Sequence, residues 1–227
     1  MYFDSTYLLL IPGLLLGLWA QSQVKGAYEQ YSRVGTRLNE SASVVVQDLL
    51  QRNGNGDVAV GRISGQMTDH YDPRTRMLNL SEGVYDSTSV AALGIAAHEA
   101  GHAMQHQEGY AMLKLRSAIV PVVNFGSGAA MPIFVLGLAF AWKPLTTIGI
   151  LLFSLSVLFS LITLPVELDA SRRALQMLTA GGYVTAEEEA GVRKVLRAAA
   201  MTYVAAAIAS LMSLLRLVLL SNRRSRR

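Results

Sequence analysis

Residues 117–166 read SAIVPVVNFGSGAAMPIFVLGLAFAWKPLTTIGILLFSLSVLFSLITLPV, and Lys143 is the only charge among them. Lys143-Pro144 divides the segment into two uncharged runs, Ser117–Trp142 and Pro144–Val166, of 26 and 23 residues. As helices, each is long enough to cross ~30 Å of hydrocarbon, and so short a link makes them a transmembrane hairpin. Ser5–Val24 adds 20 uncharged residues and Ala198–Leu215 another 18. The remainder, roughly 130 residues, is too small to wrap four such helices and also bury a core of its own. A mean hydropathy of +0.33 with 16% charged residues agrees with that reading.

The first run is read as a retained anchor. Met1-Tyr2-Phe3-Asp4 carries no Lys or Arg, and Leu18-Trp19-Ala20 is a poor signal-cleavage site. The chain has no cysteine, which removes disulfides, Cys-ligated zinc and thiol catalysis. Its net charge of +4 equals the contribution of Arg223, Arg224, Arg226 and Arg227. A basic nucleic-acid surface is therefore not expected, and the tail reads as a cationic cluster beside lipid headgroups.

His98-Glu99-Ala100-Gly101-His102 lies in an apolar helical stretch, Ile95–Met104. Two histidines four residues apart project from one helix face and can share a zinc ion at ~2.0–2.1 Å, with Glu99 beside the open position as general base. Two imidazoles and a carboxylate would be costly to bury on such a helix without a metal or partners. A catalytic zinc site needs a third protein ligand. His106 is eight residues from His98, ~12 Å along a helix, and is too far to share the ion; it reads as a surface or packing histidine. A carboxylate must then serve. Asp69, Asp72, Glu82, Glu108, Glu167, Asp169, Glu187, Glu188 and Glu189 are candidates. Glu167 is foremost because it follows Pro165 where the hairpin re-emerges, although the pattern leaves the others open.

The rest of the chain reads as a small α+β region. Gly26–Arg33 is a polar connection, Thr36–Arg52 a helix ended by Asn53-Gly54-Asn55-Gly56, and Asp57–Ile63, Met67–Tyr71 and Arg76–Leu80 are strands. Ser87, Thr88 or Ser89 caps the pentad helix, which runs to about Gln107. Pro165 opens a helix over Val166–Leu178, closed by Gly181-Gly182; Thr185 and Glu188 form a capping box for the last helix. The expected organisation is an anchor (1–24), a catalytic region (25–116), the hairpin (117–166), a third-ligand helix and connector (167–197), and a final span with basic tail (198–227). By parity, 25–116 and 167–197 share one face of a bacterial plasma membrane. The surplus of Lys and Arg beside the spans on that side favours the cytoplasm.

Thr68-Asp69-His70-Tyr71-Asp72-Pro73, Leu78-Asn79-Leu80-Ser81, Ala96–Gln105 around the pentad, and Leu164-Pro165-Val166-Glu167-Leu168-Asp169-Ala170-Ser171-Arg172-Arg173-Ala174 together resemble the bacterial YugP-type membrane zinc metallopeptidases. The resemblance covers nearly the whole chain and the order of spans. The HtpX-type membrane gluzincins are more distantly similar. It implies His98, His102 and Glu167 as ligands of one zinc ion and Glu99 as catalytic base. The HtpX-type group carries an aspartate four residues after its glutamate ligand, where this chain has Ser171; Asp169 lies two residues off that register.

The expected activity is zinc-dependent hydrolysis of peptide bonds in membrane or membrane-proximal polypeptides, and the resemblance implies a use in membrane protein quality control. A strand between Asp57 and Leu80 could receive an extended substrate on its edge. His70 could stabilise the oxyanion, or with Tyr71 could simply fix the turn before Pro73. The alternatives are a processing peptidase of narrow specificity and a non-catalytic membrane protein with a structural or degenerate metal site.

Overall fold

The computed structural model describes residues 4–224; Met1-Tyr2-Phe3, Arg226 and Arg227, used in the reading of the termini, lie outside the described residues. The elements are α1 (Ile11–Tyr31), preceded by a 3-10 segment at Ser5–Leu10, α2 (Ala42–Arg52), β1 (Ala59–Ile63), β2 (His70–Asp72), β3 (Met77–Ser81), α3 (Glu82–Tyr85), α4 (Val90–Gln107), α5 (Ala111–Ala139), α6 (Lys143–Ala180) and α7 (Ala186–Arg224). They form two compact units. One comprises Met1–Ala20, Lys114–Pro165 and Thr202–Arg227; the other comprises Gln21–Leu113 and Val166–Met201.

The first unit is helical. Among the described residues, four helices are long and apolar enough to span a membrane, within Ser5–Tyr31, Ala111–Ala139, Lys143–Ala180 and Ala186–Asn222. Their large apolar side chains, such as Leu14, Leu15, Phe125 and Leu151, point outward, as expected of surfaces whose solvent is lipid. Where α1 meets α7 the backbones approach closely: a Cβ on Gly13 would sit 2.8 Å from the Ala209 Cα. Small residues permit this contact, which in a bilayer substitutes for hydrophobic driving force. Arg216 of α7 lies 3.9 Å from the Asp4 carboxylate and stacks on the Tyr7 ring, so the one basic group of this part of α7 is engaged by the amino-terminal turn.

Several boundaries differ from those read in the sequence, for identifiable reasons. α1 continues through the presumed polar connection to Tyr31, helped by a Lys25–Glu29 pair one turn apart. α2 starts at Ala42, because Thr36 donates its N–H to the Thr88 carbonyl and Val34 accepts from Val90, which engages this backbone outside any helix. Pro165 does not open a new helix; it lies inside α6, whose course is unbroken. A proline removes one backbone donor, a loss that membrane helices tolerate.

The second unit contains the sheet, in the order β1-β3-β2, with β1 parallel and β2 antiparallel to β3. Leu78 and Leu80 of the central strand are buried, and they pack with Val45, Val46, Leu49 and Leu50 of α2. α4 is capped at Ser89, whose Oγ accepts from the Ala92 N–H. Its small residues, including Ala96, Ala97, Ala100 and Ala103, are fully buried, so neighbouring elements can surround it. The Thr185–Glu188 capping box is present in both directions.

α4 and the emergent part of α6 touch backbone to backbone. A Cβ on Gly101 would collide with the Ala170 carbonyl oxygen, with its carbon at 3.0 Å and its Cα at 3.1 Å. Neither helix backbone can yield cheaply. Gly101→Ala should therefore destabilise this unit by about 1–3 kcal/mol, the usual cost of overpacking, seen as a lower melting temperature in detergent. An unchanged melting temperature would mean that the helices can separate without penalty.

Candidate metal centre

His98 and His102 sit one turn apart on α4, with ring centroids 4.8 Å apart and planes nearly perpendicular. Glu167 comes from α6, two residues beyond Pro165, and is 3% exposed. Its Oε2 lies 3.2 Å from His98 Nε2 and 3.7 Å from His102 Nε2. One donor atom from each residue lies within 4.8 Å of the others. Donors at 2.0–2.1 Å around a tetrahedral zinc stand ~3.3 Å apart, so this set of two imidazoles and a carboxylate fits such an ion.

The far side of each imidazole is also occupied. His102 Nδ1 donates to Gln105 Oε1 at 3.0 Å, and His98 Nδ1 lies 3.2 Å from Ser171 Oγ. Each ring thus turns its Nε2 toward Glu167, the nitrogen that would bind a metal while a neighbour holds Nδ1. Burial disfavours charge on His102, but its bond to Glu167 and the nearby Glu99 carboxylate outweigh that effect and raise its pKa.

Gln105 is fully buried. Its Nε2 donates to the Val166 carbonyl at 2.8 Å and to Asp169 Oδ2 at 2.9 Å. Asp169 accepts from Arg173 Nε at 2.5 Å and also pairs with Arg172; Arg173 reaches Glu108 at 2.7 Å. The carboxylate that falls off the HtpX-type register thus supports His102 indirectly, through an amide. The sequence reading missed Gln105, although its spacing of three from His102 on a helix was a usable signal.

Glu99, half-buried, accepts at Oε2 from the Tyr71 N–H of β2 at 3.0 Å. His106 bonds Tyr71 Oη at 2.8 Å through Nδ1, a packing contact between α4 and β2. His70 is not brought into the cluster. It is exposed, with Nδ1 donating to the Thr68 carbonyl and Nε2 beside Asn79 Nδ2. Other acidic candidates have separate work: Asp69 holds Ser81, Asp72 holds Arg74 and Thr75, and Glu189 pairs with Arg193.

A family described as "Putative neutral zinc metallopeptidase" matches residues 6–222. "Putative membrane protease YugP" of Bacillus subtilis (strain 168) is 48% identical over 212 residues, covering 93% of this chain and 94% of that protein. No solved structure matches the chain.

Replacing Gln105 by Leu keeps the approximate volume but strips His102 Nδ1 and the Val166 carbonyl of their partner. Zinc affinity, measured by chelator competition, should fall about 10–100-fold. Glu167→Ala should leave the purified protein without stoichiometric zinc by elemental analysis; full occupancy would exclude Glu167 as an essential ligand.

Proposed function

This chain belongs to the neutral zinc metallopeptidase family, and from that membership we propose an integral membrane endopeptidase that cuts membrane or membrane-proximal polypeptides. The observation that carries the reading is the cluster of half-buried His98 and His102 with buried Glu167, and Glu99 in the adjoining turn. His98, His102 and Glu167 hold one zinc ion. Zinc in such a site acts as a Lewis acid that lowers the pKa of water to ~7 and polarises a scissile carbonyl.

Glu99 is the general base: it takes a proton from the attacking water and returns it to the leaving amine. Ser171 and Gln105 keep the two imidazoles oriented. The Tyr71–Leu78 pairing and the Tyr71 N–H bond to Glu99 turn the Tyr71 backbone toward the free edge of β2. That edge borders the base, which supports β2 as the strand that receives an extended substrate by main-chain pairing. His70, on the same strand, remains a proposed oxyanion donor only for a substrate-bound arrangement in which it leaves Thr68 and Asn79. Main-chain recognition is indifferent to side-chain sequence and suits many unfolded clients, in keeping with membrane protein quality control. The catalytic face is the cytoplasmic one, a reading supported by the basic residues flanking the spans on that side.

Glu99→Gln provides the test. The variant should keep its zinc while hydrolysis of an unfolded polypeptide falls about 10²–10⁴-fold, the usual contribution of a positioned base. Undiminished cleavage would remove Glu99 from that role.

A further inference from the structure

Beside the candidate metal centre, and sharing Ser171 with it, α6 and α7 enclose an open groove of ≈ 720 Å³. Its apolar lining comes from Leu168 and Leu175 of α6 and from Leu196 and Ala200 of α7; Arg172, Arg193 and Arg197 also line it. Glu189 is the one acidic residue of the lining, so three guanidinium groups face a single carboxylate. On α6, Leu168, Arg172, Leu175 and Thr179 follow helical spacing, and on α7 so do Glu189, Arg193, Leu196 and Ala200. The helices are antiparallel neighbours across the turn at 181–185. Leu168 therefore lies opposite Ala200, and Arg172 opposite Arg197.

Leu168 and Ala200 form one end of the groove, and Leu175 and Leu196 lie on the other side of Arg172 and Arg197. Leu168 is three residues beyond Pro165, the last residue of its segment in the membrane unit, and Ala200 is two before Thr202, where that unit resumes. In sequence, Leu168 and Ala200 are thus the lining residues nearest to the uncharged runs of both helices. The Arg172 and Arg197 level is about 6 Å further along, at 1.5 Å per residue. Arg172 and Arg193 each share a carboxylate on their own helix, Asp169 and Glu189. Both remain more than half exposed, and such surface pairs exchange partners at little cost. Arg197 is exposed and has no acidic partner among the described residues.

We propose that this groove binds one anionic phospholipid, with its phosphate between Arg172 and Arg197, its headgroup toward Arg193, and an acyl chain running from Leu168 and Ala200 into the bilayer. An arginine cluster matches phosphate oxygens through paired N–H donors. A soluble acidic peptide would use the same charges but would leave the leucines of the lining, which adjoin the uncharged runs in sequence, without a counterpart.

The experiment uses the full-length chain in neutral detergent, with bound lipid counted by native mass spectrometry after addition of phosphatidylglycerol or phosphatidylcholine. Wild type should retain one phosphatidylglycerol in strong preference to phosphatidylcholine. Each arginine near a membrane surface contributes about fivefold. The variant R172Q/R193Q/R197Q should therefore lose about 100-fold in retention, and R197Q alone about fivefold, which serves if the triple variant does not fold. Millimolar inorganic phosphate or an acidic peptide should not displace the lipid. Removal of the tail by truncation after Asn222 should leave the tight lipid in place. Equal retention of the two lipids, unchanged retention in R197Q, displacement by phosphate or peptide, or loss on tail truncation would each overturn the assignment.

Discussion

The contact between α4 and the emergent part of α6 is the constraint from which the metal centre follows. Gly101 lets the two backbones meet at Ala170, and Gln105 fastens them by bonding the Val166 carbonyl, Asp169 and His102 together. Glu167 lies between Val166 and Asp169 in sequence, so anchoring those two neighbours sets its height along α4. The carboxylate then meets two imidazoles at 3.2 and 3.7 Å. A shift of one residue would turn it ~100° around α6, away from both rings.

Burial makes this arrangement consequential. A carboxylate 3% exposed is expensive unless opposite charge or several donors surround it. Two imidazoles stand beside it, and a divalent cation held by them would add the opposite charge. The supporting polar groups are not isolated either. From His102 a continuous chain runs through Gln105, Asp169 and Arg173 to Glu108, whose side chain is half exposed. Each member is satisfied by the next, the condition under which a buried polar network rigidifies a site.

A candidate membrane span and a candidate metal ligand are joined in one helix. α6 is apolar through its first part, carries Glu167 immediately beyond it, and continues to the turn before α7. Pro165 marks the change in composition without breaking the helix. In sequence, the candidate ligand Glu167 directly follows the uncharged run of α6, and Leu168 of the neighbouring groove comes next.

Much was legible before any coordinates. Uncharged runs of span length identify membrane helices because hydrocarbon admits little else. The His98–His102 spacing puts both rings on one helix face because helix geometry has few choices. The Ser89 cap and the Thr185–Glu188 box obey local hydrogen bonding and were readable for the same reason. Glu167 could be singled out but not separated from its acidic rivals by pattern alone. What escaped were features set by partners distant in sequence. These are the parallel pairing of β1 with β3, the loss of residues 36–41 from the expected α2 beside the pairing near Ser89, the course of α6 through Pro165, and the role of Gln105. Local chemistry thus determined which helices enter lipid and which side chains can grip a metal, since both depend on composition and short-range spacing. The meeting of His98 with Glu167, and the Gln105 bridge that holds it, depend on two helix backbones touching 69 residues apart. Only the packed chain could decide that.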